Sequence, residues 1–150
     1  MTNLQIRILD PRIGKQWPLP HYASADAAGM DLRVCLDEPL HLLANTVELV
    51  SAGFAMHIGD PGITALLLPR SGLGHKGLVL GNLTGLIDAD YQGPIKMSLW
   101  NRSQDEIVIE PGERVAQMVL VPVIRPEILV VDEFAATERG SAGFGSTGQQ

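Results

Sequence analysis

A glycine-bounded stretch holds two aspartates, Asp88 and Asp90, that point to opposite faces of a strand, so one of them could face a pocket and activate a water molecule. Asp88 lies in GNLTGLIDADYQG, residues 81–93, where glycines surround alternating apolar residues and predict a tight hairpin whose backbone can approach a planar ligand. A carboxylate beside a pocket acts as a general base for water. An aspartate in a turn is more often only a turn residue, so this stretch leaves both interpretations open.

A second stretch, PRSGLGHK at residues 69–76, is suited to binding an anion. It follows an apolar run typical of a strand and places the Arg70 guanidinium beside the Ser71 hydroxyl and the Gly72 N–H. Charge-assisted and backbone hydrogen bonds of this kind hold phosphate groups. A simple turn rich in serine and glycine is an equally common interpretation of such a peptide in isolation.

The glycine-rich tail RGSAGFGSTGQQ, residues 139–150, has little apolar content to hold it against a core. Ordering it would cost roughly 1–2 kcal/mol per residue of backbone entropy, so a frayed terminus is one interpretation. The other is a lid that orders over a ligand, with Arg139, Ser146 and Thr147 on phosphates and Phe144 on a flat ring. A P-loop is excluded because glutamines, not a lysine, follow the last glycine.

Other candidate residues have simple structural interpretations. In SADAAGMDL, residues 24–32, a pair of aspartates is usually structural, although Asp26 or Asp31 could hold water around a magnesium ion. The four histidines have no metal-ligand spacing, and Met97 lies in a strand-like run where it is most simply a core residue. Each of these patterns is weak by itself.

Short strands must position these residues, because helical periodicity is scarce in the chain. Ile95, Met97 and Leu99 alternate with polar residues, as strands with one buried face do. Ten prolines and sixteen glycines interrupt most long helices, and turn signals bound the short apolar runs. The pattern predicts an all-β sandwich, jelly roll or barrel with one short helical turn within residues 70–77.

Composition limits the function. With 150 residues, of which 45% are hydrophobic, the chain is expected to build one core and one domain. A net charge of −6 without a basic stripe argues against a nucleic-acid binder, although a small phosphorylated ligand needs only a few local arginines. No apolar run is long enough for a membrane span, and the first residues lack the layout of a signal peptide. With Cys35 as the single cysteine, a cytoplasmic setting is expected.

Five stretches, taken in order, resemble the five motifs of the trimeric deoxyuridine triphosphate nucleotidohydrolases, the dUTPases, of bacterial type. They are AGMDL (28–32), PRSGLGHK (69–76), GLIDADYQG (85–93), ERVAQ (113–117) and RGSAGFGSTG (139–148). The resemblance implies an all-β distorted jelly roll, a β-clip-like sandwich with at most one short helix, which forms a homotrimer whose active sites are each built from three subunits. It also implies a single domain, residues 1–138, and a flexible arm, residues 139–150, that acts as an active-site lid.

The resemblance further implies the reaction. A water activated by Asp88 attacks the α-phosphorus of dUTP and yields dUMP and pyrophosphate. Mg²⁺ sits mainly on the triphosphate, and Asp31 holds the waters around it. The ligands are thus dUTP and dUMP, with no nucleic acid and no membrane as partner, and the reaction keeps uracil out of DNA while it supplies dUMP for thymidylate synthesis.

The same resemblance implies the substrate contacts. Tyr91 stacks on the deoxyribose and leaves no room for a 2′-hydroxyl, Gln117 contacts the α-phosphate, and Phe144 covers the uracil. The full set of substrate-binding residues is Arg70, Ser71, Gly72, Asn82, Tyr91, Met97, Gln117, Arg139, Phe144, Gly145, Ser146 and Thr147.

Two departures from the family pattern and two alternatives accompany this interpretation. Ala142 stands where the tail motif usually has glycine, and the loop after Lys76 is one residue shorter than in related bacterial sequences. A dCTP deaminase of the same fold needs a glutamate as acid and base, and none lies within residues 81–93. A nucleotide sensor without catalysis would show a damaged Asp88, Arg70 or tail, and all three are intact in the sequence.

Overall fold

The computed structural model describes residues 3–137 and 140–141 of the chain. The described strands are β1 (Gln5–Ile8), β2 (Met30–Arg33), β3 (Leu40–Leu42), β4 (Val47–His57), β5 (Ile63–Pro69), β6 (Leu78–Leu80), β7 (Gly85–Ile87), β8 (Pro94–Asn101), β9 (Ile107–Ile109) and β10 (Arg114–Pro122). The one described helix, α1 (Ser71–His75), connects β5 to β6. The prediction of an all-β fold with one short helical turn is confirmed. No helix in this part of the chain is long and apolar enough to cross a membrane.

Antiparallel pairing joins the described strands into two four-stranded sheets and one two-stranded sheet. One large sheet has the order β1-β4-β8-β6, the other has the order β2-β10-β5-β7, and β3 pairs with β9. Buried side chains from all three sheets form a single hydrophobic cluster, as expected of a sandwich. The arrangement agrees with the predicted distorted jelly roll.

Strand β8 illustrates how the sequence directs this core. Ile95, Met97 and Leu99 are at most 1% exposed, while Lys96 between them is exposed. This alternation buries one face of the strand against the opposite sheet. Strand β4 pairs with β8 and adds Phe54, also 1% exposed, to the same cluster.

Arg12 holds the loop that follows β1. Its guanidinium donates to Asp10 at 2.6 Å, donates to the Leu36 carbonyl oxygen at 2.9 Å, and lies 4.8 Å from the ring centroid of Trp17. The hydrogen bonds that Arg12 donates to the Asp10 carboxylate hold the pKa of Asp10 well below its usual range. Burial, together with the charge of Asp10, raises the pKa of the Cys35 thiol to about 11. Cys35 is therefore protonated and unreactive at neutral pH.

Candidate active site

The end of β5 and the start of α1 border a cleft of about 380 Å³. Strands β2 and β10, which lie in the same sheet as β5, supply further polar side chains. The lining residues are Asp31, Arg70, Ser71, Gly72, Leu73, Lys76 and Gln117. The structure thus brings together the five predicted residues Asp31, Arg70, Ser71, Gly72 and Gln117, and it adds Leu73 and Lys76 from the same PRSGLGHK stretch.

Asp31 lies between two arginines at the edge of this cleft. Its Oδ1 is 2.9 Å from Arg70 Nε, and its Oδ2 accepts a hydrogen bond from Arg114 Nη1 at 2.9 Å. Arg70 Nη1 also donates to the carbonyl oxygen of Arg114 at 3.1 Å. The three side chains are 27–46% exposed, and partly exposed pairs of this kind contribute at most about 1 kcal/mol. A polyanionic ligand can therefore replace these contacts.

A β-bulge in β10 brings Arg114 to the same face as Gln117. Residues three apart in a regular strand point to opposite faces. Here the register with β2 shifts between Arg114 and Ala116, and Val115 and Ala116 are both buried. The extra residue returns Gln117 to the outward face on which Arg114 meets Asp31. Sequence analysis missed Arg114 as a site residue because the ERVAQ spacing gives no sign of the bulge.

Gln117 lies on β10 between the two neighbouring strands, β2 and β5. Its Cα is opposite that of Asp31 in β2 on one side and that of Leu68 in β5 on the other. Its Nε2 donates to the Pro69 carbonyl oxygen at 3.0 Å. A side-chain amide has two N–H donors and a carbonyl acceptor. Gln117 therefore keeps one donor and its acceptor for a ligand.

Gly72 has no packing reason to be a glycine. A Cβ added at this position meets no atom within 4 Å, and Gly72 is not among the residues with positive φ. Glycine is about 1 kcal/mol less favourable than alanine in a helix, so the residue lowers the stability of α1. The open space above Gly72 lets a ligand or a second chain approach the backbone closely.

Asp88 lies at the other end of β5 from Arg70. Strand β7 pairs antiparallel with β5, and the Thr64 hydroxyl near the start of β5 donates to the carbonyl oxygen of Ile87 at 2.7 Å. At about 3.3 Å per residue, the six residues from Thr64 to Arg70 span roughly 20 Å. The exposed Asp88 lines a separate cavity of about 100 Å³. Within one copy of the chain, the predicted base and the predicted phosphate-binding residues do not meet.

Tyr91 and Asn82 also lie outside the cleft that contains Asp31. The Tyr91 side chain is 41% exposed, and its hydroxyl donates to the Pro94 carbonyl oxygen at 2.9 Å. A Cβ at position 93 would collide with the Tyr91 hydroxyl, so Gly93 is required for this ring position. Asn82 is exposed in the loop between β6 and β7, beside Leu83, whose φ of 62° is left-handed.

Met97 and the tail residues are the remaining predicted substrate contacts. The Met97 side chain is 1% exposed inside the hydrophobic cluster, so its alternation pattern identifies it correctly as core. Its inclusion among the substrate-binding residues stays a prediction. The predicted tail contacts Arg139, Phe144, Gly145, Ser146 and Thr147 lie outside the described residues.

The cleft offers one carboxylate rather than a set of metal ligands. In the part of the chain that the structure describes, no three or more His, Cys, Asp and Glu side chains come together as a metal site. Each carboxylate oxygen of Asp31 uses one lone pair for an arginine and has another for a water. This donor set fits a Mg²⁺ ion that arrives on substrate phosphates, because such ions need only one or two carboxylates.

Comparison with known proteins decides the family. The dUTPase family model matches residues 15–148. The chain belongs to the dUTPase family. A deoxyuridine 5′-triphosphate nucleotidohydrolase of Citrobacter koseri is 56% identical over 151 residues, which cover 100% of this chain and 99% of that protein. A dUTPase of the same name from Escherichia coli O9:H4 is 55% identical, with 100% of both chains covered.

Solved dUTPase structures have the same fold. The G164S mutant of a dUTPase of Staphylococcus bacteriophage 80alpha with dUpNHpp superimposes with a TM-score of 0.80 at 28% identity, covering 99% of this chain and 100% of that chain. A dUTPase from phage phi11 of S. aureus, whose structure reveals the coordination of a structural Mg(II) ion, has a TM-score of 0.76 at 25% identity. That match covers 89% of this chain and 99% of the phage chain.

Proposed function

We propose that this chain hydrolyses dUTP to dUMP and pyrophosphate, through attack on the α-phosphorus by a water that Asp88 activates. The observation that carries the proposal is the cleft in which Asp31, Arg70, Ser71 and Gln117 meet. Relatives that are 55–56% identical over the whole chain have the name deoxyuridine 5′-triphosphate nucleotidohydrolase. The reaction keeps uracil out of DNA and supplies dUMP for thymidylate synthesis.

The size and charge of the cleft suit a nucleoside triphosphate. Its volume of about 380 Å³ falls within the range of roughly 300–1,000 Å³ for small-molecule pockets. Arg70, Arg114 and Lys76 bring positive charge to a site whose lining has one carboxylate, Asp31, in a chain of net charge −6. Phosphoryl transfer depends mainly on positioning and charge neutralisation. This local excess of positive charge is therefore where the phosphates bind.

Each side chain of the cleft has a distinct task in the proposed reaction. A Mg²⁺ ion bound to the triphosphate neutralises phosphate charge. Asp31 orients the waters of that ion, while Arg70 and Arg114 exchange their bonds to Asp31 for bonds to phosphate oxygens. Gln117 uses its free N–H to hold the α-phosphate. Asp88 orients the attacking water and accepts its proton, a contribution of roughly 10²–10⁴-fold.

In this proposal Asp88 reaches the α-phosphate from a second copy of the chain. A general base must lie within hydrogen-bond reach of the water, about 3 Å, whereas roughly 20 Å separates Asp88 from Arg70 along β5. In a homotrimer with shared active sites, the Asp88 and the Arg70 of one site come from different subunits, so their separation within one chain no longer matters. The homotrimer brings Asp88, Asn82 and Tyr91 of one copy to the cleft of the next.

An exposed apolar segment that follows β10 supports the homotrimer. The side chains of five residues in this segment are 83–93% exposed, namely Ile124, Ile128, Leu129, Val130 and Phe134. Large apolar side chains that are exposed together within one segment favour an interaction surface. In the proposed trimer a neighbouring subunit covers this segment.

The tail completes the site in the proposed trimer. Residues 139–150 close over the bound nucleotide, with Arg139 and residues 145–147 on the γ-phosphate and Phe144 over the uracil. Asn82 and the adjacent hairpin backbone contact the uracil edge. Binding the nucleotide provides the free energy that orders the glycine-rich tail, a cost of roughly 1–2 kcal/mol per residue.

Mixing two inactive variants tests the shared site. Homotrimers of Asp88→Asn lack the base, and homotrimers of Arg70→Ala lack a phosphate donor, so both are expected to be nearly inactive. In trimers reassembled from equal amounts of the two, about a quarter of the sites combine an intact Asp88 with an intact Arg70. Pyrophosphate release from dUTP should therefore recover to about a quarter of the wild-type rate.

A second mixture controls for this recovery. Arg70→Ala and Gln117→Ala alter two residues of the same cleft in one chain, so reassembly of these variants creates no additional intact site. Their mixture should show no more activity than the average of the two homotrimers. If native mass spectrometry detects mixed Asp88→Asn and Arg70→Ala trimers but activity does not return, the shared site is ruled out.

Tyr91→Ala is expected to admit UTP as a substrate. Removing the ring opens the space that the 2′-hydroxyl of a ribose needs, and the ratio of kcat/KM for dUTP over UTP should fall at least about tenfold. Tyr91→Phe is the matched control, because it keeps the ring and loses only the hydrogen bond to Pro94. An unchanged ratio in Tyr91→Ala would mean that another residue guards the 2′ position.

Gly72→Ala is expected to weaken dUTP binding without lowering stability. The added methyl group fills the open space above α1, while alanine gains up to about 1 kcal/mol of helix propensity over glycine. Gly112→Ala is the contrast, because its φ is 79° and a Cβ there would collide with Trp17 Nε1. Thermal unfolding and titration with a non-hydrolysable dUTP analogue separate the two effects. Unchanged affinity in Gly72→Ala would show that no ligand approaches this backbone.

A further inference from the structure

Asp31 also lines a second, smaller cavity. The volume of this cavity is about 70 Å³, and its polar lining consists of Asp31, His21, Arg33 and Arg114. Nucleotide-sized ligands occupy pockets of roughly 300–1,000 Å³, whereas one water takes about 30 Å³ of liquid. The cavity therefore has room for a small ion but not for a nucleoside.

The two arginines of this cavity directly oppose each other. Arg33 in β2 and Arg114 in β10 are Cα partners in the antiparallel pair. Like charges at directly opposite positions destabilise a sheet. Asp31 is the one carboxylate that lines this cavity in the described part of the chain, and it also pairs with Arg70. The cavity consequently carries an excess of positive charge.

Both arginines have N–H groups left for a ligand. Arg33 uses Nη1 to donate to the Gly112 carbonyl oxygen at 2.7 Å. Arg114 uses Nη1 to donate to Asp31 at 2.9 Å. A guanidinium group has five N–H donors in a planar fork, so each side chain has further donors to offer to an oxyanion.

We propose that this cavity binds one small oxyanion of the phosphate class between Arg33 and Arg114. The two guanidinium groups supply charge-assisted hydrogen bonds, which are stronger than hydrogen bonds between neutral groups. The anion also removes the repulsion between the opposing arginines. Its source is either free inorganic phosphate or the pyrophosphate product.

The bound anion acts on the triphosphate cleft through Arg114, a step that rests on the proposed dUTP hydrolysis. An anion that draws Arg114 away leaves Asp31 paired with Arg70 alone. Arg70 is then held away from the substrate phosphates, and the KM for dUTP rises. Coupling between two bound ligands is reciprocal, so bound dUTP weakens the affinity for the anion by the same factor by which the anion weakens the affinity for dUTP.

Titration calorimetry of the nucleotide-free, full-length protein in EDTA tests the cavity independently of turnover. Inorganic phosphate should bind at two sites per chain, one in the cleft and one in the cavity. Arg70→Gln should remove the cleft site alone. Ala23→Asp should remove the cavity site alone, because Ala23 lines the cavity and the new carboxylate repels an anion. Ala23→Asn has nearly the same shape without the charge and should keep both sites.

Arg33→Gln tests the arginine pair itself. It should lose the cavity site, whereas Arg7→Gln, which removes an exposed charge from β1 in the other large sheet, should keep it. Thermal unfolding verifies that each variant is folded. If Arg33→Gln does not fold, the comparison of Ala23→Asp with Ala23→Asn tests the proposal without it. A single phosphate site that only Arg70→Gln removes would overturn the proposal.

Kinetics then test the coupling. At constant ionic strength, phosphate should raise the KM for dUTP about fivefold more in the wild-type protein and Ala23→Asn than in Ala23→Asp. Repeating the measurement with pyrophosphate distinguishes the two sources. The anion that gives the larger difference in KM between Ala23→Asn and Ala23→Asp is the ligand of the cavity. Equal inhibition of all variants by both anions would overturn the coupling, while absence of dUTP turnover would overturn the proposed function and leave the calorimetric result standing.

Discussion

Asp88→Asn is expected to lower dUTP turnover by roughly 10²–10⁴-fold while dUTP still binds. Asparagine has the shape of aspartate, and the exposed position of residue 88 after β7 tolerates it without repacking. The amide cannot accept a proton from the attacking water, so the loss falls on kcat. Single-turnover pyrophosphate release and titration with a non-hydrolysable dUTP analogue measure the two quantities separately.

Asp90→Asn is the matched control for this prediction. Asp90 is also exposed and lies two residues away, but it lines a different cavity from Asp88, beside His57 and Arg125. Its substitution removes the same charge from the same loop and should leave turnover within a few-fold of wild type. If both variants lose equal activity, loop structure rather than proton transfer explains the loss. Turnover near wild type in Asp88→Asn would remove Asp88 from the role of base.

Deletion of residues 139–150 is expected to leave a folded trimer with turnover reduced about 10²-fold or more. In the proposed site the tail positions the nucleotide and excludes water, whereas the hydrophobic cluster of the described residues does not include it. Size-exclusion chromatography with light scattering measures the assembly, and pyrophosphate release measures turnover.

A shorter deletion provides the control. Removal of Gln149 and Gln150 leaves the whole RGSAGFGSTG motif in place, so turnover should stay near that of the full chain. If removal of residues 139–150 instead dissociates the trimer, the tail has a structural role and the lid assignment fails. Full activity without the tail would assign closure of the site to another part of the chain.

The fold could be predicted from sequence because its signals are local. Alternation at Ile95, Met97 and Leu99 depends on neighbours within one strand, and it identified a buried face that the structure confirms. Arg70, Ser71 and Gly72 are consecutive in the chain, so a local pattern was enough to group the three residues that line the cleft together. The same alternation placed the Met97 side chain in the core, where the structure has it.

The rest of the site depends on pairing between distant strands. Arg114 and Gln117 share one face of β10 because a bulge shifts this strand by one residue against β2. The spacing of the two residues in the sequence does not indicate that shift. The separation of Asp88 from Arg70 likewise follows from the register of β5 and β7. Such registers are set by hydrogen bonds between segments far apart in sequence, which no local pattern records.

The length of β5 makes activity depend on the amount of protein present. Because one strand of seven residues keeps the base and the phosphate-binding groups at its opposite ends, an isolated copy of the chain is inert in the proposed mechanism. Below the concentration at which copies associate, mass action makes the number of working sites fall roughly as the third power of total protein. In that mechanism a newly made chain would not hydrolyse dUTP until it has associated with two further copies. Dilution alone should switch the enzyme off.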